Sequence, residues 1–427
     1  MAIQLLNRLP ASWSSKRLKY AAPLRTSRVV GSSSDSEYVG LENIESWTGR
    51  YLPSSSPVVI ANEEAATSGT TSFFSNGDVL FGKLRPYLAK ALLAERNGTC
   101  STELLVFQPK AEIDARFLFY VLLSPKFVTL VDSSTFGAKM PRANWDFIGN
   151  IRFPLPNLED QRNIVSYLEV QTEQIDSLIA EKERMLALLV EKRAVVVSRA
   201  VTLGLEPDIS LKSSSLDWLD EIPAHWNIMQ LKRTWLSAEY GISENIREEG
   251  AIKVLRMSCI VDGRIDLANA GQVQEVSPHL LLNEGDFLFN RTNSLDQVAK
   301  VGLLDVEPET PTSFASYLVR IRAKQDISRE YLTLLLNSQE FLKYARCNAI
   351  PAISQANLSP SRYGDIRIPL PPRKEQDEIV AFLSSERART AELEASMQRS
   401  LALLKERRSA LITAAVTGQI EPEVMTA

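Results

Sequence analysis

Ile151-Arg152-Phe153-Pro154-Leu155-Pro156 is followed by Glu159-Asp160-Gln161, and Ile366-Arg367-Ile368-Pro369-Leu370-Pro371 is followed by Lys374-Glu375-Gln376. From each of these points the chain runs through a long stretch of apolar residues spaced three and four apart. The stretches end alike, at Ala200-Val201-Thr202 and Ala415-Val416-Thr417. A constant offset of 215 places Gln161 on Gln376, Leu168 on Leu383, Leu189 on Leu404 and Thr202 on Thr417. Two copies of one supersecondary unit predict two similar sites held in fixed relation.

Working outward, the repeat extends upstream with a drifting offset. Pro10-Ala11-Ser12-Trp13 matches Pro223-Ala224-His225-Trp226, and Gly77-Asp78-Val79-Leu80-Phe81 matches Gly285-Asp286-Phe287-Leu288-Phe289. Phe117 and Phe127 match Tyr331 and Phe341. The drift before residue 150 records insertions and deletions, whereas the helical stretches have none. Each half therefore pairs a variable globular part with an invariant helix.

In the first helix Ile164, Leu168, Ile175, Leu178, Met185, Leu189 and Val196 define the apolar seam, with Gln171 and Lys182 as its polar members. In the second, Ile379, Leu383, Leu393, Met397, Leu404 and Leu411 keep the rhythm, interrupted by Glu386, Thr390 and Ser400. Spacing of this kind over more than three heptads predicts a coiled-coil seam. Each helix should be about 50–60 Å long at roughly 1.5 Å per residue. Their matched length and register predict antiparallel pairing across a pseudo-two-fold axis. Val165, Leu186, Leu188, Val195 and Val197 widen the stripe and leave a face for a further partner.

The fold class expected is α+β, with two similar globular domains, each followed by a long helix. The boundaries are a first domain at 1–152, a first helix at 153–206, a linker at 207–215, a second domain at 216–368, a second helix at 369–420 and a tail at 421–427. The first domain mixes short strands (Val58-Val59-Ile60, 78–81, 104–107) with a helix near 115–130. The second shows the same order, with strands near 253–257, 286–289 and 316–321 and a helix near 329–345. Pro207 and Lys212-Ser213-Ser214-Ser215 break the periodicity at the linker.

Composition excludes several classes. Hydrophobic content of 44% and charged content of 23% are ordinary for a soluble protein, and no apolar run approaches a membrane span. The N-terminus lacks a signal-peptide pattern, and three scattered cysteines (Cys100, Cys259, Cys347) suit a reducing cytoplasm. Gly77-Asp78-Val79-Leu80-Phe81-Gly82-Lys83-Leu84 nearly fits a phosphate-binding loop. Leu84 lacks the hydroxyl needed for magnesium, however, and Val79-Leu80-Phe81 reads as a strand. His225 and His279, the only histidines, have no ligand neighbours at metal spacing. No nucleophile elbow or aminomethyltransferase motif is present. A non-catalytic binding protein is the reading that remains.

The net charge of −4 is divided unevenly, +4 over residues 1–152 and −4 over residues 216–368. A second domain that bound nucleic acid would need a local basic patch or a partner that shares the phosphate contacts.

The Pro369-Leu370-Pro371-Pro372 turn, with Glu375-Gln376, Ile379-Val380 and Lys405-Glu406-Arg407-Arg408, resembles the specificity subunit of type I restriction–modification enzymes. The phrase Gly285-Asp286-Phe287-Leu288-Phe289-Asn290-Arg291-Thr292-Asn293-Ser294 does too. The likeness runs from Pro10 to Gly418. It implies that each globular domain is a target recognition domain reading one half of a split DNA site. The helices would set the spacer and dock two methyltransferase subunits, with restriction subunits where these are present. S-adenosylmethionine would come with the methyltransferase, and ATP and Mg with the restriction subunit. This chain itself would carry no cofactor and no catalysis.

On that reading, Lys83, Arg85, Tyr87 and Lys90 in the first domain follow a strand and are candidate phosphate contacts. Lys139, Arg142 and Asn144 lie in one loop and are candidate base readers, since Arg suits guanine and Asn suits adenine. In the second domain the candidates are Asn290, Arg291, Thr292, Asn293, Ser294 and Lys300. Ser354, Gln355 and Asn357 join them, at the place equivalent to the 139–144 loop. Arg320 and Arg322 alternate on a predicted strand and would share a face, toward DNA or toward solvent. Loop amides and hydroxyls also serve as turn formers. The competing reading is a coiled-coil scaffold with two protein-binding domains, for which none of these positive loops would be needed. Because the two sets of loops differ, the target expected is asymmetric.

Overall fold

The computed structural model describes residues 5, 10, 12–30, 38–53, 70–137, 139–244, 249–268, 270–353, 355–420 and 425. It divides into two compact units, the first made of residues 1–183 and 398–427 and the second of residues 184–397. Each unit holds one globular body and one segment of each long helix, which are Leu158–Leu203 (46 residues) and Arg373–Val416 (44 residues).

The repeated Ile-Arg-x-Pro-Leu-Pro phrase is a short strand that leads into each helix. Arg152–Leu155 pairs antiparallel with Ser14–Arg17, and Arg367–Leu370 pairs antiparallel with Asn227–Gln230. The registers correspond, Ser14 opposite Leu155 and Asn227 opposite Leu370. The partner strand in each case directly follows the Pro-x-x-Trp phrase, and Trp13 and Trp226 are buried beneath it. Phe153 and Ile368 are buried on the inner side of these two-stranded pairs. The expected helix segments 153–206 and 369–420 thus begin later, after these strands.

In the first unit, the sheet Ala91–Leu93, Val79–Gly82, Leu104–Phe107 packs against the helices Ala115–Leu123 and Pro125–Asp132. These two stand where one helix was expected. Ser124 is extended (φ −66°, ψ 134°) because the residue before a proline avoids helical backbone, and Pro125 restarts the helix. A second sheet joins Arg28–Val30, Thr70–Phe74, Gly98–Cys100 and Tyr38–Val39 in that order. The strand expected at Val58-Val59-Ile60 lies outside the described residues.

The second unit is built on a six-stranded sheet in the order Trp235–Tyr240, Leu318–Ala323, Asp286–Asn290, Val301–Leu303, Arg264–Ile265, Ile260–Val261. The helices Arg329–Leu336 and Gln339–Cys347 take the place of the single helix expected there. Part of the expected linker is ordered as well, since Leu211–Leu216 is a strand paired with Leu219–Pro223. Ser214 is buried in that hairpin, so its Ser run marks a strand end and turn.

The long helices run antiparallel to each other within each unit. In the first unit Arg408 meets Asp176 and Lys405 meets Glu183, so numbers rise on one helix as they fall on the other. In the second, Ala200, Val201, Ile379 and Leu383 share one core. The expected seam holds at Ile164, Leu168, Ile175, Ile379 and Leu383, which are buried, and fails at other positions. Leu178 (48% exposed), Met185 (45%) and Leu393 (45%) point outward. The buried line on the first helix runs through Gln161, Val165, Leu168, Thr172, Ile175 and Ile179, again in steps of four and three. Ile164 and Ile379 are fully buried, while Leu189, Val196, Met397, Leu404 and Leu411 are partly so. Outside the buried line the first helix also carries the exposed apolar side chains Leu178, Met185, Leu188 and Val195.

Candidate nucleic-acid interface

The Gly-Asp-x-Leu-Phe repeat builds the base of each candidate site. Gly77 (φ 85°) and Gly285 (φ 88°) take left-handed backbone that a side chain would strain. The following aspartate is buried in both copies. Asp78 accepts from the backbone N–H of Ser75 at 2.8 Å and from Arg25 at 2.7 Å. Asp286 accepts from Asn283 N–H at 3.0 Å and from Arg322 at 2.8 Å. What resembled a phosphate loop is therefore a turn clamped by an ion pair, and Val79–Gly82 is a wholly buried strand. Of the expected 320/322 pair, Arg322 keeps a side chain 36% exposed while bonded to Asp286. Arg320 is 1% exposed, donates to the carbonyls of Leu281 and His279 at 2.7 Å, and reaches Glu239.

Beyond that strand the chain meets the second predicted loop. In the first unit Ala143 N–H donates to Lys83 O at 2.9 Å and Arg85 N–H donates to Pro141 O at 2.8 Å, with Leu84 opposite Arg142. Arg142 in turn lies opposite Phe136, joined by two backbone hydrogen bonds of 3.1 and 3.2 Å. In the second unit Leu358 N–H donates to Arg291 O at 2.9 Å, and Thr292–Asn293 pairs with Gln355–Asn357. Gln355–Asn357 pairs on its far side with Ile350–Ala352. The two candidate segments of each unit are thus joined in the same order, as a three-stranded ribbon in the second unit and through successive isolated bridges in the first.

The side chains sort by what holds them. Lys139 and Arg142 are exposed on the first ribbon, where Arg142 donates to Glu103 at 3.2 Å. Lys83 and Arg85 are half-buried beside it, and Arg85 takes left-handed backbone (φ 49°) ahead of Pro86. Tyr87 is 44% exposed. Lys90 turns inward, its Nζ donating to Leu41 O at 2.6 Å, and burial lowers its pKa below the ordinary lysine value. Asn144 caps the short helix Trp145–Ile148 by accepting from Asp146 N–H at 3.0 Å.

In the second unit Asn290 is 1% exposed within its strand, so it belongs to the core rather than the surface. Thr292 is also buried and accepts from Asn357 Nδ2 at 3.1 Å. Arg291 lies over the Tyr240 ring, 5.1 Å from its centre, and donates to Ser316 O at 3.1 Å. Asn293 Oδ1 accepts from Ser294 N–H, and Ser294 opens the turn that carries Lys300, whose Nζ donates to Gln297. Gln355 is exposed and Asn357 half-buried, while Ser354 lies outside the described residues. Sequence reading missed Phe136 and Ile350 on the outer strands, because apolar residues were not sought among surface contacts.

Among the described residues no helix is long and apolar enough to cross a membrane. The family model for the type I restriction modification DNA specificity domain matches residues 42–185 and 231–402. The chain is 25% identical over 324 residues to the EcoKI specificity subunit of Escherichia coli, covering 74% of this chain and 68% of that protein. It is 26% identical over 171 residues to the putative MjaX specificity subunit of Methanocaldococcus jannaschii, covering 39% of this chain and only 40% of that protein. A chain from a structural study of the assembly and conformational transition of the type I R-M system has a TM-score of 0.72 at 20% identity. That match covers 97% of this chain and 100% of the other. The HsdS subunit of Thermoanaerobacter tengcongensis has a TM-score of 0.50 at 20% identity, with 97% and 98% covered. Each of the two matched segments contains one of the ribbons, and the chain belongs to the type I restriction modification DNA specificity domain family.

Proposed function

We propose that this chain is the non-catalytic DNA-recognition subunit of a type I restriction–modification complex, reading a split, asymmetric target with one ribbon per half-site. The observation that carries this is the joining of the two candidate segments in each unit by the same backbone bonds, Ala143 to Lys83 and Leu358 to Arg291. Such a ribbon presents neighbouring side chains at the width a major groove admits. The side chains differ between the units, with Lys139 and Arg142 on one and Arg291, Gln355 and Asn357 on the other. Half-sites of different sequence follow from that difference.

Phosphate contact falls to Lys83, Arg85 and Tyr87, and base contact to Lys139, Arg142, Asn144, Asn293, Gln355 and Asn357. The long helices set the spacing of the half-sites and dock two methyltransferase subunits. The outward apolar side chains Leu178, Met185, Leu188 and Val195 support that docking. The methyltransferase brings S-adenosylmethionine, and a restriction subunit, where present, brings ATP and Mg chemistry. Co-expression with the methyltransferase subunit from the same gene neighbourhood, followed by sequencing of methylated adenines, tests the proposal. Methylation at one asymmetric split motif, lost on altering Lys139 and Arg142, is expected. A stable complex that leaves no new methylation would overturn it.

A further inference from the structure

Phe136 and Ile350 occupy the same place on the two ribbons. Phe136 lies opposite Arg142, which lies opposite Leu84, and Ile350 lies opposite Asn357, which lies opposite Thr292. Both lie on the outer edge, Phe136 at an isolated bridge and Ile350 on the strand Ile350–Ala352, and both are large apolar side chains turned to solvent, 75% exposed for Phe136 and 53% for Ile350. The adjoining turns add Met140 (48%) and Ile353 (97%). One exposed apolar residue on a surface is ordinary. Two at the same register position, in copies whose loops have otherwise diverged, mark a contact that needs apolar surface. Lys139 and Arg142 flank Phe136, and Arg291 lies two strands in from Ile350, a setting that suits an anionic polymer.

We infer that Phe136 and Ile350 enter the major groove of duplex DNA on their ribbons and each packs on the C5-methyl group of a thymine. This rests on the DNA-recognition reading proposed above and names what the outer strand reads. A major groove admits a two-stranded ribbon, and the thymine methyl is the one apolar group that a standard base pair presents there. Arginine and amide side chains on the middle strand bond to base edges, and the outer strand supplies the apolar readout those groups cannot make. The exposed state costs little to maintain in the free protein, and water leaves both surfaces on binding.

The test uses the full chain in complex with its methyltransferase subunits and duplexes carrying the motif found by methylated-base sequencing. Each thymine in turn is replaced by deoxyuridine, which removes the methyl group and keeps every hydrogen-bonding position. Binding is expected to weaken about fourfold at one thymine in each half-site, the worth of one buried methyl. Phe136→Ala should abolish that sensitivity in one half-site and Ile350→Ala in the other. Both side chains are exposed, so both variants should fold, and the response of each to substitutions in the opposite half-site serves as its control. Undiminished sensitivity in the alanine variants, or no sensitive thymine in either half-site, overturns the inference while Lys139→Ala still weakens binding. Wild-type complex that binds no sequence preferentially overturns the underlying reading as well.

Discussion

The backbone N–H of Asp114 donates to Oε1 of Gln161 at 2.7 Å, tying the first turn of the long helix to the residue that caps the helix Ala115–Leu123. Gln161 Nε2 then donates to the carbonyls of Glu112 and Pro156 at 3.0 and 2.9 Å. The second unit repeats the joint. Ser328 caps Arg329–Leu336 and donates its N–H to Gln376 Oε1 at 2.8 Å, while Gln376 Nε2 donates to Pro371 O at 2.9 Å. Both glutamines are buried. These bonds fasten each globular body to the first turn of the long helix that follows it.

Replacing either glutamine by alanine leaves buried backbone groups without partners. Gln376→Ala should therefore destabilise the second unit by about 1–3 kcal/mol, and Gln161→Ala the first by a similar amount. Gln161→Glu should be at least as harmful, since a carboxylate would face the carbonyls of Glu112 and Pro156. Urea unfolding followed by a probe in each unit would measure both. Equal stability of wild type and variants would show that the joint contributes nothing.

Arg408 and Asp176 form a two-bonded ion pair at 2.8 and 3.2 Å, with side chains only 10% and 20% exposed, and Arg408 also donates to Trp47 O at 2.8 Å. Removing one partner strands a charge in the helix pair. Arg408→Ala and Asp176→Ala should each cost about 3 kcal/mol. The double change to Met and Leu should recover most of that loss, and a double-mutant cycle on thermal unfolding reads the coupling.

Cys100 and Cys259 are fully buried, and burial pushes both thiols from 9.0 up to about 12. A pKa raised in the folded state adds stability that is complete below the unfolded value of 9.0 and is lost as pH climbs toward 12. Stability should therefore decline between about pH 9 and 12, and the decline should be shallower in the Cys100→Ala, Cys259→Ala double variant. Exposed Cys347 should take up iodoacetamide at pH 8 well before the other two, as peptide mass mapping would show.

Salt dependence separates the surface cations from the inward one. Lys83→Ala and Arg85→Ala should each reduce the slope of log affinity against log salt by about 0.9, the value for one released phosphate contact. Lys90→Ala should leave the slope unchanged, because its Nζ is committed to Leu41 O. Fluorescence anisotropy at several salt concentrations would distinguish the two behaviours, and a slope change in Lys90→Ala would return that residue to the interface.

Much of this is legible in the sequence itself. The constant offset between Gln161 and Gln376 marked two like units, the Pro-Leu-Pro turns marked where the helices begin, and the Gly-Asp-x-Leu-Phe phrase marked a strand in each copy. These are local signals, written in spacing and turn chemistry, and neighbours in sequence suffice to read them. Burial is not local. Leu178 and Ile179 are equally apolar, yet only Ile179 is covered, because the opposing surface comes from distant parts of the chain. Asn290 looked like a loop residue and is a buried strand end, and Arg320 looked like a surface cation and is enclosed by three oxygen acceptors. Sequence by itself determined the repeat, the helices and the family likeness, since each is carried by the order and spacing of residue types along the chain. Only tertiary structure decided which face of each helix is covered and which loops share a ribbon, because those depend on contacts between segments far apart along the chain.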